Sequence, residues 1–80
     1  MMKADGFDEA IIGVGRQFDK PDRIIYDYDK CLMILMLDQE FTEEEARDWM
    51  EYNVLGAYVG EGTPIFKINY IEEEVYERLQ

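Results

Sequence analysis

The sequence predicts a small, mainly helical α+β domain with the element order α-β-α-α-β-α. Three observations carry that expectation. Cys31 to Leu37 is a run of seven consecutive apolar residues, apolar on every side, and a helix of that kind belongs at the centre of a core. Thr42-Glu43-Glu44-Glu45 has the form of a capping box, the local signature of a helix start. Two short apolar stretches, Arg23–Tyr26 and Ile65–Ile68, each follow a proline-containing turn and read as the strands of a minor two-stranded sheet.

The 80 residues make one domain, 1–80, which begins with a flexible polar lead-in over residues 1–6. Asp8 suits an N-cap, and Phe7, Ala10, Ile11, Val14 and Phe18 fall at helical spacing. Gly13 and Gly15 argue against this helix, each costing up to about 1 kcal/mol in a helix interior. A strand over Ala10–Val14 is the rival, and the five-member stripe favours the helix. Asp19-Lys20-Pro21-Asp22 is a turn. Asp27 then stands where the cap of the central helix belongs, with Asp29 in its first turn.

The central helix is expected to end near Asp38-Gln39-Glu40. Thr42 caps the next helix, with Phe41 placed to staple against Ala46; the two helices form a buried αα-hairpin. This helix either breaks at Gly56 or continues to Tyr58. Gly60-Glu61-Gly62-Thr63-Pro64 must be a loop. Over residues 70–80, Ile71, Val75 and Leu79 recur every fourth position, which predicts a C-terminal amphipathic helix, while the central run is expected to pack between the first and third helices.

Composition limits the chemistry. The chain holds 19 acidic and 8 basic residues, a net charge of −11. Such a surface repels nucleic acid and anionic membrane and suits a basic protein partner. With no His and no Ser, the Ser-His-Asp and Cys-His arrangements and any His-containing zinc site are excluded. A single Cys forms no disulfide within the chain. That cysteine, inside an apolar run, together with residues 1–20 lacking a signal-peptide pattern, points to the cytoplasm. No cofactor or metal is expected.

Asp5 to Gly13, Tyr26 to Cys31, Glu44-Glu45-Ala46 and Glu51 to Pro64 together resemble a family of short, uncharacterised proteins of tailed bacteriophages. The similarity spans residues 5–66, and its most specific block is Asn53–Pro64, NVLGAYVGEGTP. The resemblance lends no functional residue. It implies a context, a small phage-encoded accessory protein made in a bacterial host cell.

Candidate binding residues come from three places. Trp49, Tyr52 and Tyr58 lie close together in the sequence beside Met50, and an aromatic cluster on an acidic surface is suited to anchoring a protein partner. Glu61 and Thr63 belong to the glycine loop. That loop lacks the lysine of a phosphate-binding P-loop and carries a carboxylate between its glycines, so turn chemistry is the better reading. Tyr26 and Tyr28 alternate with Asp27 and Asp29, a D-x-D pair too sparse for a calcium loop and better explained by capping. The expectation is therefore a non-catalytic binding protein whose partner is a protein, one version being a basic host nucleic-acid-binding or defence protein engaged by charge mimicry. The alternatives are a divalent-metal enzyme using Asp and Glu, and a self-assembling structural phage protein. A homodimer is compatible with all three.

Overall fold

The first departure from expectation comes at Ile11, where the chain turns extended instead of continuing as a helix. Asp8–Ala10 is a single 3₁₀ turn, followed by strand β1, Ile11–Gly15. The computed structural model describes residues 1–57, 60–71 and 73–80. Among these, the chain forms a small α+β domain with three helices and a three-stranded mixed sheet.

The rival strand over Ala10–Val14 is therefore the correct reading. β1 pairs antiparallel with β2, Arg23–Asp27, setting Ile11 opposite Tyr26, Gly13 opposite Ile25 and Val14 opposite Ile24, with a bulge between Ile11 and Gly13. A helical stripe would have buried Ile11, Val14 and Phe18, yet all three are exposed. Gly15 shows why a glycine belongs in this strand. A Cβ there would lie 3.2 Å from Ile65 Cδ1 and 3.4 Å from Ile25 Cδ1, two side chains that share its face of the sheet.

The two predicted strands do pair, and in parallel: Ile25 opposes Ile65, Tyr26 opposes Phe66 and Asp27 opposes Lys67. The third strand is β3, Ile65–Lys67, and the order β1-β2-β3 replaces the two-stranded sheet expected. Parallel pairing needs a long crossover, which the helical segment between β2 and β3 provides.

Helix α1, Tyr28–Asp38, opens as anticipated, with the Asp27 carboxylate accepting from the Lys30 N–H at 3.2 Å. It ends at Gln39, and Glu40 takes a left-handed φ of 57°. Helix α2, Glu43–Trp49, carries the capping box in full: Thr42 Oγ1 accepts from the Glu45 N–H at 3.2 Å and Glu45 accepts from the Thr42 N–H at 2.9 Å. From Met50 to Leu55 the helix continues with π-type geometry, and Gly56 is its C-cap. Tyr58 and its neighbour at 59 lie outside the described residues. Helix α3, Glu73–Arg78, forms but buries no residue, and Ile71 and Leu79 on either side of it are exposed.

The core is built from one side of α1 (Tyr28, Cys31, Leu32, Leu35), the inner side of β2 (Tyr26), and Ala46, Met50 and Val54. Ala4, Phe7 and Ala10 complete it, so the segment read as a flexible lead-in supplies a fully buried residue, Ala4. The central run is not enclosed on all sides. Met33 and Leu37 stand 57% and 76% exposed, because α1 is covered by β2, α2 and the 3₁₀ turn and by no N-terminal helix.

Candidate functional site

The helical register from Glu45 to Asn53 determines what reaches solvent on α2. Ala46, Met50 and Val54 repeat every fourth residue and are buried. Glu45, Asp48, Trp49, Tyr52 and Asn53 lie beside or away from that buried stripe, and with Phe41 they line a shallow, open groove of about 290 Å³. The π-type segment, Met50–Leu55, contributes Tyr52 and Asn53 to this surface. Such turns interrupt helices at functional sites more often than elsewhere.

Two aromatic rings form the floor of the groove. Phe41 and Trp49 meet with centroids 5.7 Å apart and planes inclined at 47°. Phe41 also packs against the core cluster that contains Ala46, so the loop residue expected as a staple doubles as a wall of the groove. Trp49 remains 42% exposed and Tyr52 83% exposed. Glu45 and Asp48 border the rings. The hydrogen bond from the Thr42 backbone N–H, reinforced by the Thr42 hydroxyl, holds the Glu45 carboxyl below the usual carboxylate range, so it stays charged. The arrangement offers desolvatable aromatic area inside an acidic rim.

The other candidate residues do not join it. Tyr26 is completely buried; its ring stacks on Phe66 with centroids 5.3 Å apart, and its hydroxyl accepts from the Ala4 N–H at 2.8 Å. Tyr28 is also a core residue, with the Arg47 guanidinium 6.0 Å above its ring. Burial pushes the Tyr28 hydroxyl pKa upward, and the Glu51 carboxylate adds to that. Both tyrosines are therefore corrected from surface to core. In β2 the side facing the helices is the buried one, and the first residue of α1 points inward.

Glu61 is exposed and pairs with Lys20 at 3.1 Å. Thr63 closes its own turn, its hydroxyl donating to the Gly60 carbonyl at 2.7 Å, while its carbonyl accepts from Arg23 Nε at 2.6 Å. Gly60 has a φ of 103°, which fits a turn of this kind. Because β2 and β3 run parallel, this loop lies beside Arg23, at the end of the sheet opposite Asp27. The glycine loop and the Tyr26–Asp29 junction form no common pocket. Asp27 and Asp29 instead accept from Asn69 Nδ2 at 3.0 and 3.4 Å. Among the described residues, no group of three Cys, Asp or Glu side chains is disposed to hold a metal ion.

The sequence alone did not mark Phe41, Glu45, Asp48 and Asn53 as parts of the groove. The spacing of 41, 45, 48, 49 and 52 around a capped helix start was the available signal. Comparison of the chain with protein-family models, with characterised proteins and with solved structures finds no match. Among the described residues, no helix is long and apolar enough to cross a membrane.

Proposed function

We propose that this chain is a non-catalytic binding protein, a phage-type accessory factor acting in the bacterial cytoplasm, and that the Phe41–Trp49–Tyr52 groove engages a basic protein partner. The observation that carries this reading is the exposure of Trp49 and Tyr52 side by side, bordered by Glu45 and Asp48, on a chain of net charge −11. Aromatic anchors give an interface its affinity, and a surrounding field of one sign accelerates encounter with the opposite sign. An arginine-bearing segment satisfies both, since a guanidinium stacks on an indole while pairing with a carboxylate. A host nucleic-acid-binding protein presents such a surface to its own anionic ligand, which this chain would imitate through charge.

The test is affinity capture from a bacterial lysate with the wild-type chain and with Tyr52→Ala. The wild type should retain a basic protein that elutes as salt rises, and Tyr52→Ala should retain about tenfold less. Equal capture by the two proteins would remove the groove from the account. Capture unaffected by salt would remove charge mimicry.

A further inference from the structure

The sheet has two edges, and they are built differently. β3 is three residues long, is preceded by Pro64 and ends in Lys67; a short edge with a proline and a lysine is protected against further pairing. β1 has five residues, Ile-Ile-Gly-Val-Gly, with neither charge nor proline, and its one interruption is the bulge between Ile11 and Gly13. Among the described residues it is paired on one side only. Ile11, Ile12 and Val14 stand 38%, 45% and 52% exposed. On a chain of net charge −11, an uncharged apolar edge is conspicuous.

Gly13 adds a second observation. Its φ is not in the left-handed region, and a Cβ built there meets nothing within 4 Å. This glycine adjoins the bulge between Ile11 and Gly13, a place where glycine is common in strands, and it leaves the outer side of the strand open. A glycine in a strand also serves where another backbone comes close. The charges flanking β1 say which backbone. Asp8, which pairs with Lys3 at 3.0 Å, and Glu9 precede the strand, and Arg16 follows it. Arg16, although bonded to Asp22 at 2.8 Å, keeps 80% of its side chain exposed. An antiparallel copy of the same strand places its acidic end against this basic one, twice over.

From these features we propose that the β1 edge is a homodimer interface. Two copies pair Ile11–Gly15 antiparallel about a two-fold axis at Gly13, fusing two three-stranded sheets into one of six strands. Arg16 of each copy then reaches the Asp8–Glu9 turn of the other. Main-chain hydrogen bonds along the edge supply affinity, as in strand addition generally. The two-fold makes the contact self-complementary and closes the assembly at two. Ile12 and Val14, both exposed in the single chain, oppose one another on either side of the axis. The groove on α2 takes no part.

Sedimentation velocity on four proteins tests this. The wild type should sediment as a dimer. Arg16→Glu and Glu9→Arg each place like charges at both ends of the interface and should each dissociate to monomer, with self-association weakened about tenfold or more. An equimolar mixture of the two variants restores both opposite-charge contacts and should re-form a dimer. Ile12→Lys, an exposed substitution, should also give a folded monomer with unchanged circular dichroism. A monomeric wild type at millimolar concentration, open-ended polymers, or single-charge variants that stay dimeric would overturn the proposal. So would a mixture that remains monomeric. Since Tyr52→Ala is expected to leave the dimer intact, failure here is separable from failure of the groove.

Discussion

The Tyr26 hydroxyl and the Ala4 backbone N–H, 22 residues apart in sequence, form a buried hydrogen bond of 2.8 Å. It fastens the N-terminal segment onto the middle strand of the sheet. Tyr26→Phe keeps the ring and its stack on Phe66 while leaving the Ala4 N–H buried with no acceptor. Such a group costs about 1–3 kcal/mol. Urea denaturation should show the midpoint falling accordingly with an unchanged slope. A midpoint equal to that of the wild type would mean that the N-terminal segment is not held in this way.

The capping box of α2 has a pH signature. Removing the cap in Thr42→Ala should cost about 1 kcal/mol near neutral pH. Glu45 has a lowered pKa in the folded chain, so its contribution is present above the ordinary carboxylate value and disappears as pH falls through the lower, folded value. Thr42→Ala keeps the backbone N–H that Glu45 accepts from, so the matching variant is Glu45→Gln. The stability difference between wild type and Glu45→Gln should shrink on acidification. A difference that holds constant to low pH would exclude the reciprocal Glu45 contact.

Cys31 reports on the core. Burial, aided by the Asp27 carboxylate, pushes its thiol up to about 12 from an ordinary 9.0. A raised folded value means that stability is intact below the unfolded pKa and declines as pH rises from about 9 toward 12. Tyr28 has a raised pKa as well and acts in the same sense. A disulfide reagent should leave the native chain unreacted on a timescale that labels the denatured chain fully. Immediate labelling of native protein would contradict the placement of α1.

Glu40 sits just beyond α1 with φ 57°, a conformation that costs a residue with a Cβ roughly 1 kcal/mol. Glu40→Gly should accordingly raise stability by up to about 1 kcal/mol, measurable as a higher thermal midpoint. A lower midpoint would mean that the Glu40 side chain contributes more than the backbone strain removes.

How far the sequence revealed this fold depends on the range of each signal. The starts of α1 and α2 were legible because Asp27 with Lys30, and Thr42 with Glu45, are contacts across three residues. β1 was not, because its partner Arg23–Asp27 lies beyond a turn, whereas Phe7, Ala10, Ile11, Val14 and Phe18 make a helical stripe by themselves. Gly13 and Gly15 were the outweighed clue. In the groove, Trp49 and Tyr52 were legible as neighbours at helical spacing. Tyr26 and Tyr28 were misplaced because their acidic neighbours Asp27 and Asp29 suggested a surface, while backbone alternation and the start of α1 send the rings inward. Phe41 read as a staple only, since its approach to Trp49 spans eight positions.

Because the chain contains a single Trp and it lies in the groove, Trp49 emission is the most direct probe of the binding account. The measurement is a fluorescence titration of the wild type and Tyr52→Ala with an arginine-rich peptide at low and high salt. The account expects a saturable change in Trp49 emission for the wild type at low salt, weakened about tenfold both by Tyr52→Ala and by high salt. Binding of the peptide, seen by calorimetry, with no change in Trp49 emission would contradict it.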